Sequence, residues 1–278
     1  TFTAKLLYPD NDNYEVMPWP ERIYEGLYKK SADSDEKIRI PRFYSTQMQV
    51  MINALNQIPL SNNEISGSKG LSVLMANSLM FQRTPEPVAG YDDPHFYGQA
   101  LPFLKRGVPV HLMHIENVSY PENWKDTKVL LMSYSNMKPL DEKAHQYIAD
   151  WVKKGGVLVY SATDRDSFQQ VQEWWNQGEN HFRAPSEHLF QLMGIKPNAS
   201  EGEYACGKGT VYVFRKDPKQ YVMKEDGDRI YVEIVKRMYE DKAKAGKLEF
   251  KNNFYLKRGM YELVSVMDES VSDKPYQL

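Results

Sequence analysis

Asp164 and Asp166 stand just beyond an apolar run, Val157-Leu-Val-Tyr-Ser161. Two nearby carboxylates can act as the acid and base that cleave a glycosidic bond, with a separation of roughly 5 to 10 Å deciding the outcome. The same Asp-Arg-Asp suits a helix start, where aspartate satisfies free amides and opposes the dipole, and the sequence favours this capping role. Ser161 closes the run as a candidate nucleophile. A nucleophile elbow needs small flanking residues because the turn is strained, but Val159 and Thr163 stand two residues to either side. A polar residue ending a strand is the expectation.

Gly202-Glu-Tyr-Ala-Cys-Gly207-Lys208-Gly209-Thr210 approaches the phosphate loop G-x-x-x-x-G-K-[ST] but carries Gly209 where the hydroxyl belongs. It leads into a β-type run instead of the helix that would hold an anion, so a tight turn is expected. His111 and His114, three apart on an expected strand, point to opposite faces, and no nearby ligand completes a metal shell. His181 and His188 read as surface or packing residues, since a catalytic base needs a partner. Trp124, Trp151, Trp174 and Trp175 offer rings for sugar stacking or for a core. Adjacent tryptophans on a helix diverge, so at most one of Trp174 and Trp175 is expected to be buried.

These residues must be positioned by regular elements. Short apolar runs at 71–76, 108–115, 128–133, 157–161 and 210–214 read as strands. They alternate with helical patterns at 94–105, 141–154, 185–193 and 229–243. Such alternation predicts right-handed βαβ crossovers and an α/β, flavodoxin-like three-layer domain with a mainly parallel sheet. Its ligand crevice would lie outside the strand ends, near Asn77, Ser133, Ser161 and Asp164.

Upstream, Pro9, Pro18, Pro20 and Pro41 mark irregular structure with short helices. Met48, Met51, Ile52, Leu55 and Ile58 share one helix face, predicting a helix over 46–57 capped by Ser45 or Thr46. Turn-forming residues in 61–70 mark a linker. The expected organisation is an N-terminal attachment segment over 1–66, the α/β domain over 67–246 and the start of a C-terminal β segment over 247–278.

The 278 residues carry 35 Lys and Arg against 37 Asp and Glu, with no long block of one sign. The electrostatic footprint of a nucleic-acid binder is missing. No apolar run approaches the roughly 18 to 20 residues of a membrane span. The single cysteine, Cys206, excludes an intrachain disulfide and a thiolate cluster. No cofactor or metal is expected. The chain opens on Thr1-Phe2-Thr3, without Met or a leader pattern, so a mature or excised form is expected.

One stretch carries a resemblance. The run from Val129-Leu-Leu-Met-Ser through Leu140-Asp-Glu-Lys-Ala-His-Gln-Tyr-Ile-Ala-Asp-Trp-Val-Lys-Lys-Gly-Gly-Val-Leu-Val-Tyr160 resembles the class I glutamine amidotransferase-like domain of bacterial glycoside hydrolases. In particular it is similar to the trimerisation domain of beta-galactosidases. Leu189 to Ile195 and Gly207-Lys-Gly-Thr-Val-Tyr-Val213 extend the similarity. Pro18-Trp-Pro-Glu-Arg-Ile-Tyr24 and Ile40-Pro-Arg-Phe-Tyr44 look like the stretch following a hydrolase barrel, and Arg258-Gly-Met-Tyr-Glu-Leu-Val264 like the opening of a β-domain.

The resemblance implies a non-catalytic accessory domain of a carbohydrate-active parent, with structural or oligomer contacts, neighbouring domains and carbohydrate as partners. Active amidotransferases keep a glycine-flanked Cys after the strand that here ends at Ser161. The isolated chain is therefore expected to lack catalysis, and the glycoside hydrolase resemblance favours a periplasmic or secreted parent. Two alternatives stand beside it: a hydrolase using Asp164, Asp166 or Ser161, and a sugar-binding module at the strand-end crevice.

Overall fold

A computed structural model describes residues 20–57, 64–80 and 93–266. The chain divides into two compact units, one of Thr1–Ser66 with Phe254–Ser265, the other of Gly67–Asn253 with Val266–Leu278. In chain order the elements begin with α1 (Glu21–Tyr24), β1 (Leu27–Lys29), β2 (Lys37–Arg39), α2 (Arg42–Gln57) and β3 (Glu64–Ile65). The second unit holds β4 (Leu71–Met75), α3 (Asp93–Leu104), β5 (Val110–His114), β6 (Val129–Met132), α4 (Lys143–Lys153) and β7 (Val157–Ser161). It continues with α5 (Pro185–Leu192), β8 (Gly202–Cys206), β9 (Gly209–Phe214), α6 (Lys219–Val222) and α7 (Arg229–Arg237). The strands β10 (Asn253–Arg258) and β11 (Tyr261–Val266) follow.

The larger unit is a three-layer α/β domain of the flavodoxin-like type. Its six strands run β5-β4-β6-β7-β9-β8, with only β8 antiparallel. The inner strands are apolar on both faces because side chains alternate across a sheet and helices cover each side. Leu130, Leu158, Tyr160 and Val213 pack with Ile148, Val152, Leu189 and Phe190 of α4 and α5. Val129, Leu131, Val157 and Val159 pack on the other face with Phe103 of α3 and Tyr231, Val232 and Val235 of α7.

Two glycine sites make the close approaches possible. After α4 the chain turns at Gly155, whose φ of 124° favours a residue without Cβ. A Cβ on Gly156 would meet the Trp151 ring at 2.5 Å. Gly207, at φ 58°, turns β8 into β9, so the glycine-rich run is a hairpin at the start of β9.

Several elements differ from the sequence reading. α2 begins at Arg42 rather than 46, directly after Pro41, which is preorganised for a helix start. Ser45 and Thr46 therefore lie inside it, and their hydroxyls donate to the Arg42 carbonyl at 2.8 and 3.0 Å. Leu55 is its one buried residue, and Ile58 lies outside the described residues. The last helix of the α/β unit keeps α geometry only to Arg237, then widens to a π-turn over Met238–Lys242. β8 was not expected, because Gly-Glu-Tyr-Ala-Cys is poor in strand formers and its pairing is with β9 alone.

In the smaller unit β1 and β2 form a two-stranded sheet, while β11, β10 and β3 form a three-stranded one. Its core is small: Leu55 and Leu256, with Met51, Ile65, Tyr261 and Leu263 against them.

Gly98 on α3 gives a direct check of packing. A Cβ there would run into the Pro218 backbone carbonyl and lie 3.1 Å from the Pro218 side chain. Alanine in a helix ordinarily gains about 1 kcal/mol over glycine. Here Gly98→Ala should instead lose about 1 to 3 kcal/mol through overpacking. Urea unfolding would read this as a lower midpoint at unchanged slope; a midpoint equal to or above the parent's would contradict the close approach.

Candidate functional site

The strand-end edge expected to carry ligands brings Asn77, Ser133, Ser161 and Asp164 to one end of the sheet, at the ends of β4, β6 and β7. Each is engaged with a different partner. Asn77 is exposed, and its backbone amide donates to Glu116 Oε1 at 2.8 Å. Ser133 is fully buried, and its Oγ accepts from the Ser135 amide at 3.0 Å. Ser161 is buried, and its hydroxyl donates to the Lys216 carbonyl at 2.8 Å. With that proton used, the Tyr221 hydroxyl, 2.7 Å away, is left to donate to Ser161 Oγ.

Asp164 is the most heavily used of the four. Its Oδ1 accepts from the Tyr160 hydroxyl at 2.6 Å. Its Oδ2 accepts from Ser186 Oγ at 2.8 Å and from Arg215 Nη1 at 2.6 Å. The residue sits at φ 54°, a left-handed conformation that Asp tolerates better than most residues. Burial, then the charge of Asp164, pushes the Tyr160 hydroxyl well above its ordinary pKa, so it remains a donor.

Asp166 is a helix cap, as its sequence position favours: it accepts from the Phe168 amide at 3.0 Å and begins the 3₁₀ turn Ser167–Gln170. Its two oxygens also accept from Lys138 Nζ at 3.0 and 2.8 Å. Lys138 is almost wholly enclosed, and the ammonium further donates to the Tyr134 carbonyl at 2.6 Å. Burial lowers its pKa, against the charge of Asp166 that raises it. The two carboxylates thus serve two separate ion pairs.

Two constellations were missed in the sequence because their members lie far apart along it. His95 Nδ1 meets Asp217 Oδ1 at 2.7 Å, joining α3 to the segment after β9. Burial raises the pKa of Asp217, yet hydrogen bonds from His95, the Lys219 amide and Ser135 outweigh it and hold the carboxyl below its usual range. The second is a chain inside the α4–α5 layer. The Tyr134 hydroxyl lies 2.6 Å from His145 Nε2, and His145 Nδ1 lies 2.9 Å from His188 Nδ1. Burial lowers the pKa of both histidines; the charge of His188 adds to the lowering at His145, while Glu142 partly opposes it at His188. Only a hydrogen-bond-capable residue at a buried helix position, His145 within an otherwise apolar stripe, hinted at it.

The remaining motifs have structural places. Cys206 lies at the opposite end of the sheet from Ser161, paired with Gly209, and burial pushes its thiol up, against reactivity. Trp124 and Trp151 stack on each other at 4.9 Å. Trp175 is buried, while Trp174 is partly exposed and donates to the Pro139 carbonyl at 3.0 Å. Among the described residues no three His, Cys, Asp or Glu side chains come together to hold a metal ion. Among them, too, no helix is long and apolar enough to cross a membrane. A cavity of about 470 Å³ lies in the smaller unit, lined by Tyr28, Ile40, Phe43, Tyr44 and Arg22.

Asp164→Asn keeps the shape and the tolerance of positive φ while removing the charge. It should cost about 2 to 4 kcal/mol, below the 3 to 5 of a fully buried broken pair, because Arg215 is a quarter exposed and keeps the Ala199 carbonyl. Chemical denaturation would measure it; a change under about 0.5 kcal/mol, as for an ordinary surface site, would contradict the role given to Asp164.

No family model matches this chain, and no curated protein matches it. Among solved structures, the cold-adapted beta-galactosidase of Rahnella sp. R3 is similar at 11% identity and a TM-score of 0.45. That match covers 84% of this chain and 41% of the beta-galactosidase chain, so this chain spans less than half of that protein's length.

Proposed function

We propose that this chain is a non-catalytic, amidotransferase-like part of a larger carbohydrate-active protein, serving structure or oligomer contacts. One observation carries the proposal. At the end of β7, near where the resembling active amidotransferases keep their nucleophile, the Ser161 hydroxyl is buried and spent on Lys216 and Tyr221. An elbow would place the nucleophile itself in a strained turn. Here the left-handed residue is Asp164, three positions further on, and Ser161 is the last residue of the strand. The carbohydrate context is supported by the resemblance of the Val129 to Tyr160 run and of the flanking segments.

A second reading, a module binding a hydroxylated ligand such as an oligosaccharide near Asn77 and Ser133, is favoured by one feature. Among the described residues Glu116 Oε2 is buried without a hydrogen-bond partner, although Oε1 of the same carboxylate holds the Asn77 amide. An unused acceptor of this kind suits a sugar hydroxyl. Calorimetric titration with oligosaccharides decides it: heat that Glu116→Gln removes supports binding, and no heat in the folded chain eliminates it.

The main proposal predicts no turnover above blank on aryl glycosides, aryl esters or glutamine. Turnover by the folded chain that Ser161→Ala abolishes would overturn it. Light scattering on this chain and on a longer parent tests the oligomer contacts; monomers at every concentration in both would remove that part.

A further inference from the structure

The Tyr134–His145–His188 chain has a property separate from the proposed support role. Its two imidazoles stack with centroids 5.1 Å apart and face each other through Nδ1 atoms at 2.9 Å. One nitrogen must carry the proton and the other must offer its lone pair. Direction is set at the inner end. Burial keeps the Tyr134 hydroxyl well above its ordinary pKa, hence protonated, and His145 Nε2 is the partner it has among the described residues. Tyr134 therefore donates to His145 Nε2, His145 donates from Nδ1 to His188 Nδ1, and His188 carries its own proton on Nε2.

This sequence of donors takes up another proton only by losing one of its hydrogen bonds. Protonating His188 would set two N–H groups against each other across 2.9 Å. Moving the His145 proton to Nε2 would make the Tyr134 oxygen an acceptor and leave its buried O–H without a partner among the described residues. His145 is fully buried, whereas His188 is partly exposed, so the first added proton enters at His188.

What rests on the pair is the connection Val171–Ala184, which contains no helix or strand. Trp174 stands edge-on to both imidazoles at 5.4 Å, and Phe182 to His188 at 5.4 Å. Trp175 in the same connection is buried with its indole nitrogen unpartnered among the described residues, so opening returns that donor to water and offsets part of the cost.

We infer that the His145–His188 contact is an acid-sensitive latch that holds the connection 171–184 closed over α4 and α5, and that protonation of His188 releases it while the sheet stays folded. The charged and titratable groups facing the pair are few. Glu142, ahead of α4, favours the protonated form of His188. Tyr134 comes from the segment after β6, and the Asp164 charge beyond it is held by Arg215. On α5, which carries His188, Glu187 is tied to Arg183 at 2.8 Å. The facing residues of the connection itself, Trp174 and Phe182, carry no charge.

The sign follows from the direction of the shifts. An opened His188 takes up its proton near the ordinary value of about 6.5, and the closed one at lower pH. Closure is therefore fully favoured above about 6.5 and is lost as pH falls from there toward the closed-state value.

Hydrogen exchange of the whole chain at pH 7.5 and pH 5, corrected for intrinsic rates, tests this. Amides of 171–188 should exchange about tenfold faster at pH 5, while those of β6 and β7 stay protected, and His188→Gln should abolish the difference. Equal protection of 171–188 at both values, or loss together with the sheet, would overturn the latch, as would an unchanged pH response in His188→Gln. If that variant fails to fold, histidine NMR titration of the unaltered chain decides: His188 should protonate below the ordinary value with a coupled shift at His145, and independent titration near 6.5 would overturn it.

Discussion

The end of β7 is organised by one carboxylate with three donors. Asp164 draws Tyr160 from β7, Ser186 from α5 and Arg215 from beyond β9 to a single point. A carboxylate so enclosed must have partners, since an unpaired buried charge is far costlier than any one hydrogen bond. That requirement fixes the turn at φ 54° and carries the chain to Asp166, which both caps the next turn and holds Lys138. Lys138 in turn is bound to Ser78: the Lys138 carbonyl accepts from Ser78 Oγ at 2.6 Å and its amide donates back at 2.7 Å. The ends of β4, β6, β7 and β9 are thus joined by polar contacts above the apolar sheet.

This arrangement bears on function through what it uses up. Polar groups at strand ends of an open α/β sheet ordinarily remain available to a ligand. Here Ser133, Ser161, Asp164, Asp166 and Lys138 spend their capacity on neighbouring side chains and on the backbone. A satisfied buried network rigidifies a fold, which suits a domain that supports others. Among the described residues Glu116 Oε2, at the β4–β5 side, and Gln169 Oε1, beyond the β7 turn, are buried without a hydrogen-bond partner.

The parallel sheet was legible because apolar runs buried on both faces leave a strong local signal: β4, β6 and β7 fall within the expected runs, and β9 begins one residue before its run. Elements without that signal were not. β8 hides behind glycine, glutamate and alanine, and Pro41 as the start of α2 was outweighed by the more familiar caps Ser45 and Thr46. For the site, the strand end at Ser161 and the cap at Asp166 could be read locally. Their partners could not, because Asp164 and Arg215 are 51 residues apart, His145 and His188 are 43, and His95 and Asp217 are 122. Periodicity places a side chain on a face, whereas only the folded topology says which other face it meets.

The central claim is that Ser161 occupies the nucleophile's place with its hydroxyl sealed and its activation absent. Labelling the folded chain with a fluorophosphonate and locating adducts by mass spectrometry tests that claim most directly. The account predicts no adduct at Ser161 under conditions that label a serine hydrolase to completion. Stoichiometric, fold-dependent modification of Ser161 would contradict it.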